Sequence, residues 1–145
     1  MKKKLVMIVF LMAALNACTS SKKVPVSSST LFKQIGGIQI IDRLTKKLVK
    51  RLMRDEKIGF LFKHAVVEDF QLLLSAQICV ETGGGCEYRG LTMNDAHSGM
   101  AINTREFDIF VAILIEIMTD VGISYPHQNK LLALFTPMRK DIIYK

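Results

Sequence analysis

The chain has 145 residues and a formal net charge of +7, enough for one modest domain with a single hydrophobic core but not comfortably for two. Half of its residues are hydrophobic. No concentrated basic stripe interleaved with aromatics is present, so we expect no nucleic-acid partner. The sequence also lacks a P-loop, a dinucleotide-binding glycine fingerprint and a paired-cysteine metal motif, which leaves these kinds of enzymatic chemistry unsupported.

The first residues are typical of an export signal. Lysines at 2–4 precede the apolar run 5–15, which is shorter than the roughly 20 residues that a membrane-spanning helix needs. We expect residues 1–17 to be removed as a signal peptide, which lowers the formal charge from +7 to +4, since they carry three lysines and no acidic residue.

The end of this segment, Leu15-Asn16-Ala17-Cys18, resembles the lipobox of bacterial lipoproteins. The resemblance implies cleavage before Cys18 and a lipid on that cysteine, which would tether the protein to a membrane of the cell envelope. Thr19, in place of an acidic residue, suggests sorting to a periplasm-facing outer membrane in a cell that has one. The alternative is ordinary secretion, with Cys18 as a small residue near the cleavage site.

The remaining chain divides into a tether and one domain. Residues 18–30 are rich in serine and lysine and offer too little apolar surface to offset the entropy of ordering, so we expect a flexible tether. Residues 31–145 form the predicted domain. Within it, Cys79 and Cys86 flank three consecutive glycines. We expect two unlinked thiols with Cys79 buried; the alternative is a disulfide, which an oxidising compartment would permit if the side chains converge.

Apolar residues recur at helical spacing through the domain, and no segment has the alternation of a strand, which predicts an all-α fold. The first long amphipathic stripe consists of Ile41, Leu44, Leu48 and Leu52. A second stripe runs from Phe70 to Ile78 and ends near the glycines at 83–85, which a helix interior would not contain.

Two more helices complete the predicted bundle. Asn103 or Thr104 can cap the third, which should end near Gly122. The last spans roughly Gln128–Ile142, where Pro137 implies a kink or an interrupted turn.

Three histidines, His64, His97 and His127, are candidates for metal binding. A lone histidine is usually a surface or hydrogen-bonded residue, and helical periodicity alone does not choose among the three.

Several motifs narrow this choice. A short first helix with a glycine pair lies in 31–37, and a phenylalanine, Phe62, follows the turn after the second helix. The glycines at 83–85 precede Tyr88-Arg89-Gly90 and then Met93-Asn94-Asp95-Ala96-His97. In these motifs and their spacing, the stretch 31–142 resembles the group I truncated haemoglobins.

The resemblance implies a truncated-globin fold, a two-over-two helical sandwich around one haem b. It also implies that the neutral imidazole of His97 binds the haem iron. The residues that it places against the haem are Phe62, Phe70, Leu74, Met93, His97, Ile102 and Phe107.

The chain departs from this family on the distal side, where the gas ligand would lie. The family usually has a tyrosine at the place of Val49, whose hydroxyl donates to bound dioxygen, and often a glutamine at the place of Leu74. We therefore expect an apolar distal pocket formed by Val49, Phe70 and Leu74. Gln77 stands where an aromatic is common, and it either supplies a displaced donor or lies at the pocket rim.

The sequence leaves open which residue pairs with a haem propionate and whether a second histidine binds the iron. Leu73 stands where a basic residue often pairs with a haem propionate, so that contact is lost or moved to Lys63 or Arg89. His64 follows Phe62 closely enough to be considered as a sixth iron ligand.

The resemblance thus implies reversible binding of a diatomic gas at haem iron ligated by His97. Oxygen carriage is the generic family activity, and nitric oxide chemistry, including dioxygenation, is common; carbon monoxide is a further ligand. The sequence identifies no redox partner. Two alternatives use the same fold: a haem-free structural or interaction lipoprotein, and a haem carrier of the envelope.

Overall fold

The structure is a computed structural model that describes residues 29–145. The predicted signal peptide (1–17), Cys18 and the predicted tether as far as residue 28 lie outside the described residues. Throughout 29–145 every regular element is helical and no strand occurs, which confirms the predicted fold class.

The helices follow one another through the domain. In chain order they are α1 (Leu31–Gln34), α2 (Gly37–Leu52), a 3₁₀ turn (Gly59–Phe62), α3 (Val67–Glu81), α4 (Met93–His97), α5 (Thr104–Asp120), α6 (Tyr125–Phe135) and a final 3₁₀ segment (Thr136–Asp141). The longest connection, residues 82–92, joins α3 to α4. Helix α2 packs against α3 and α5, α5 packs against α6, and α4 packs against the final 3₁₀ segment. None of the helices in this part of the chain has the length and apolar character needed to cross a membrane.

The corner between α1 and α2 requires glycine. Gly36 has a φ of 103°, and a Cβ added there would lie 2.4 Å from the Cγ1 of Ile40. Because that backbone conformation is rarely adopted by residues with a side chain, the predicted glycine corner has a direct steric cause.

The predicted stripe of α2 forms the centre of the core. Ile41, Leu44, Leu48 and Leu52 are all completely buried. Between α2 and α3, the Oγ1 of Thr45 and the Oγ of Ser75 are 2.7 Å apart and buried. This hydroxyl pair satisfies two buried polar groups between α2 and α3.

Helix α5 begins as the sequence predicts. The side chain of Asn103 accepts from the backbone N–H of Glu106 at 3.0 Å, and the Glu106 carboxylate accepts from the N–H of Asn103 at 2.9 Å. This capping box fixes the start of α5 directly after the loop that follows His97.

The predicted interruption at Pro137 is confirmed, whereas the predicted bounds of the last helix are wrong at both ends. Helix α6 starts at Tyr125 and ends at Phe135, after which the chain continues as a 3₁₀ segment. Pro126 is tolerated in the first turn, where a missing N–H costs no hydrogen bond. Pro137 cannot donate within a continuing α-helix, so the chain changes to the tighter helix there.

Candidate functional site

A cavity of about 590 Å³ lies between the distal helix α3, the short helix α4, helix α5 and the C-terminal segment. Its size falls in the range of about 300–1,000 Å³ that is usual for small-molecule and cofactor sites. Most of its wall is apolar. Eight predicted site residues line it together: Phe62, Phe70, Leu74, Gln77, Met93, His97, Ile102 and Phe107.

His97 is held at the wall in one orientation. It lies at the end of α4, whose first turn is capped by Thr92, which accepts from the backbone N–H of Asp95 at 3.2 Å. The Nδ1 of His97 is 2.7 Å from the carbonyl oxygen of Met93. Since a carbonyl only accepts, Nδ1 must carry the proton, and in the neutral imidazole Nε2 is left with a free lone pair. A histidine held in this way is a typical metal ligand.

The turn after His97 is closed by the C-terminus. The N–H of Ala101 donates to the carbonyl of Lys145, and the N–H of Tyr144 donates to the carbonyl of Ile102, both at 2.8 Å. Ala101 has a φ of 50° and Tyr144 a φ of 55°, so two residues with side chains adopt the left-handed conformation. These bonds hold Ile102, which is nearly buried, in the cavity wall.

A family model described as bacterial-like globin matches residues 30–144. The chain belongs to this family. Among its relatives, the group 1 truncated hemoglobin of Tetrahymena pyriformis is 22% identical over 116 residues, which cover 80% of this chain and 96% of that protein. The group 1 truncated hemoglobin of Nostoc commune is 27% identical over 117 residues, covering 81% and 99%.

Solved structures establish the fold of this globin. The Fe(III) form of the Tetrahymena pyriformis truncated hemoglobin matches with a TM-score of 0.77 at 22% identity, covering 81% of this chain and all of that one. The 2/2 hemoglobin from Synechococcus, solved in the cyanomet state with covalently attached heme, matches with a TM-score of 0.74 at 16% identity, covering 79% and 98%. The predicted two-over-two helical fold is therefore confirmed.

The distal wall differs from the predicted one at a single position. Val49 is completely buried but is not among the residues that line the cavity, whereas its neighbour Leu48 is. The Val49 side chain is shorter than that of Leu48 and does not extend to the cavity. The part of the wall predicted to lie on the distal side is apolar and is formed by Leu48, Phe70 and Leu74.

The side chain of Gln77, on helix α3, brings an amide group into the cavity wall. Its Nε2 lies 3.4 Å from the Sδ of Met138 and 3.7 Å from the Sδ of Met93. Thioether sulfur is a weak acceptor, so these contacts satisfy the amide donors poorly. Gln77 therefore lies within the cavity wall, with its donor group directed at two methionines.

The other distal candidates lie elsewhere. His64, Lys63 and Arg89 are exposed and do not line the cavity. The basic side chain in the wall is Arg139, whose guanidinium carbon lies 5.3 Å from the centre of the Phe107 ring. The stacked guanidinium is an attractive cation–π geometry, and it puts the positive charge of the wall on the C-terminal segment.

Several wall residues were not predicted as site residues from the sequence. Among them are Met138 and Ile142 of the C-terminal segment, and Tyr88, which was noted only as part of a motif. Partial burial raises the pKa of the Tyr88 phenol. The apolar spacing of the C-terminal segment was the available signal, because Phe135, Met138 and Ile142 continue the stripe that begins at buried Leu131.

The expectation of two unlinked thiols is wrong, although Cys79 is buried as predicted. Cys79 and Cys86 form a disulfide, with their Cα atoms 5.8 Å apart. Gly83 and Gly85 adopt φ values of 79° and 75°, and this turn brings the cysteines within the usual bonding range.

The residues present fit a haem. The wall is apolar and includes the rings of Phe62 and Phe70, stacked with centroids 5.4 Å apart. His97 presents one unprotonated nitrogen. Within residues 29–145 no group of three His, Cys, Asp or Glu side chains converges to hold a bare metal ion. A haem would bring its iron already bound in the porphyrin, and His97 would be the residue of the wall to hold it.

Proposed function

We propose that this truncated globin binds one haem b in the cavity, with His97 as axial ligand, and holds a diatomic gas such as oxygen or nitric oxide reversibly. Truncated haemoglobins carry haem, and when bound it supplies the iron at which gases bind. The observation that carries the proposal is the 2.7 Å contact between His97 Nδ1 and the Met93 carbonyl, because it leaves Nε2 unprotonated at the cavity wall.

The two sides of the cavity differ in their polar groups, and they would act differently on a bound haem and gas. On the proximal side, the Met93 carbonyl orients the imidazole, and the bonds from the C-terminus hold the turn that follows it. On the distal side, the side chains of Leu48, Phe70 and Leu74 line the cavity and offer no hydrogen-bond donor. Without such a donor a polar gas gains little beyond its bond to the cofactor, so we expect fast oxygen release and ready autoxidation.

The experiment compares His97→Ala with His64→Ala in purified protein titrated with haem. We expect the wild type and His64→Ala to give a Soret band and a five-coordinate ferrous spectrum, because His64 is exposed and outside the cavity. His97→Ala should lose both. A normal spectrum in His97→Ala would refute the assignment of His97, and a wild type without a Soret band would favour the haem-free interaction protein. Rapid haem transfer to apomyoglobin would favour the envelope haem carrier.

We further propose that the chain is exported and anchored to a membrane of the cell envelope by a lipid on Cys18. The basic start, the short apolar run and the lipobox residues Leu15–Cys18 support this proposal. The Cys79–Cys86 disulfide also supports it, since such bonds persist in oxidising compartments.

A further inference from the structure

We propose that the Cys79–Cys86 disulfide is a thiol–disulfide exchange site for a dithiol reductant, and that its reduction loosens one wall of the haem cavity. The wall concerned is the segment Gly85–Leu91, called here the hinge segment, which joins the distal helix α3 to the His97 helix α4. The effect on haem rests on the proposed function, whereas the exchange site itself does not.

The two sulfurs have different surroundings. Cys79 lies in the last turn of α3, is completely buried and belongs to the hydrophobic core. Gly84 packs on it so closely that a Cβ there would lie 2.4 Å from the Cys79 Sγ. Cys86 is exposed. A reductant from solution therefore has access through Cys86.

The hinge segment is otherwise weakly attached. Backbone bonds from Thr82 and Gly84 to α3 hold the chain before it, and the N–H of Ala96 donates to Thr92 after it. Between these points, among the described residues, no backbone N–H or carbonyl of 85–91 pairs with another backbone group. The disulfide is thus the cross-link that ties Cys86 of this segment to Cys79 in the core.

The polar contacts inside the hinge segment do not replace that connection. The hydroxyl of Tyr88 donates to the carbonyl of Leu91 at 3.0 Å, and Arg89 pairs with Glu87 at 2.8 Å. Both contacts begin and end within the segment. Tyr88 is the residue of the segment that lines the cavity, so a loosened segment withdraws an aromatic from the cavity wall.

Thiol–disulfide exchange with a dithiol proceeds in two steps. A thiolate of the reductant attacks the Sγ of Cys86, the Cys79–Cys86 bond breaks, and Cys79 leaves as a thiolate that takes up a proton in its buried site. The second thiol of the reductant then attacks its own mixed disulfide and releases Cys86. The protein gains two electrons and two protons, and the dithiol becomes a disulfide.

The structure predicts where mobility appears. Residues before Gly84 keep their bonds to α3, and α4 keeps its Thr92 cap, so the change should be confined to the hinge segment. Because the amides of 85–91 have no backbone partner within residues 29–145, cleavage of the chain by a protease reports the change better than hydrogen exchange does. We expect tryptic cleavage after the exposed Arg89 to become about tenfold or more faster on reduction, within what a native disulfide usually contributes. The core of α2 should not respond.

The first measurement is limited trypsin digestion of the full chain without haem, followed by mass spectrometry, before and after reduction with dithiothreitol and removal of the excess reductant. Cleavage after Arg89, which is exposed and lies in the hinge segment, reports the mobility of that segment. Cys86→Ser is the matched variant, because Cys86 is exposed and its replacement leaves the buried Cys79 in place. It should be cleaved fast after Arg89 with or without reduction, whereas Cys18→Ser retains the disulfide and should behave as the wild type. An unchanged cleavage rate after Arg89, once thiol counting shows full reduction, would overturn the proposal.

The second measurement is haem transfer to apomyoglobin from the loaded protein. We expect reductant to accelerate transfer severalfold in the wild type but not in Cys86→Ser, which controls for any action of dithiothreitol on the iron. Faster cleavage after Arg89 with an unchanged rate of haem transfer would overturn the link to the cavity. A protein that binds no haem would refute the proposed function, while the first measurement would still decide the exchange site.

Discussion

Replacing Val49 with tyrosine should slow oxygen release from the haem-loaded protein. The distal wall formed by Leu48, Phe70 and Leu74 has no hydrogen-bond donor, and the amide of Gln77 faces two methionine sulfurs. A phenol that reaches the cavity would add one hydrogen bond to a partly charged gas. Such a bond contributes about 1.5–3 kcal/mol, which corresponds to roughly ten- to a hundredfold in the dissociation rate.

The larger tyrosine ring also disturbs the packing of the core, and this effect must be measured separately from that of its hydroxyl. Val49 is completely buried, so a larger ring costs about 1–3 kcal/mol of folding stability. Val49→Phe carries this cost without the hydroxyl and is the matched control. Stopped-flow oxygen release should therefore slow in Val49→Tyr relative to Val49→Phe, while release of the less polar carbon monoxide should differ little between them.

Two outcomes would refute the reasoning. Equal rates of oxygen release from Val49→Tyr and Val49→Phe would show that a side chain at position 49 does not contact the gas. Slow release from Leu48→Tyr alone would show that the side chain at position 48, which lines the cavity, makes this contact instead. Slow release from the wild type that becomes fast in Gln77→Leu would show that the amide is the donor and that the pocket is not apolar.

Further predictions concern the core and the terminus. Thr45→Val should lower the free energy of unfolding by about 1–3 kcal/mol in urea titrations, because the buried Ser75 hydroxyl loses its partner at 2.7 Å. Adding Ser75→Ala should recover most of that loss, and additive losses in the double variant would contradict the assigned pairing. Mass spectrometry of membrane-fraction protein should find a lipid on an N-terminal Cys18; an unmodified Cys18 or another mature terminus would count against the anchor.

The sequence by itself determined the helical architecture of this globin, because local patterns contain that information. The stripe of α2 is buried as its spacing predicts, and Asn103 caps α5. His97 was selected among the three histidines by the resemblance of 83–97 to the truncated haemoglobins, because helical periodicity does not distinguish them. The apolar character of the distal wall was also visible in the residue types.

The tertiary structure decided what depends on direction and distance. Leu48 and Val49 are adjacent, apolar and completely buried, so no pattern distinguishes which one reaches the cavity; only the rotation of α2 against α3 does. The Cys79–Cys86 bond depends on a glycine turn that brings two α-carbons together, and spacing alone permits both free thiols and a disulfide. Arg139 joins the wall because the chain turns at Pro137 and returns beside α4. Which side chains face the cavity, and which distant residues meet there, depends on how the helices pack against one another. Helical periodicity gives only the face of each helix that is buried.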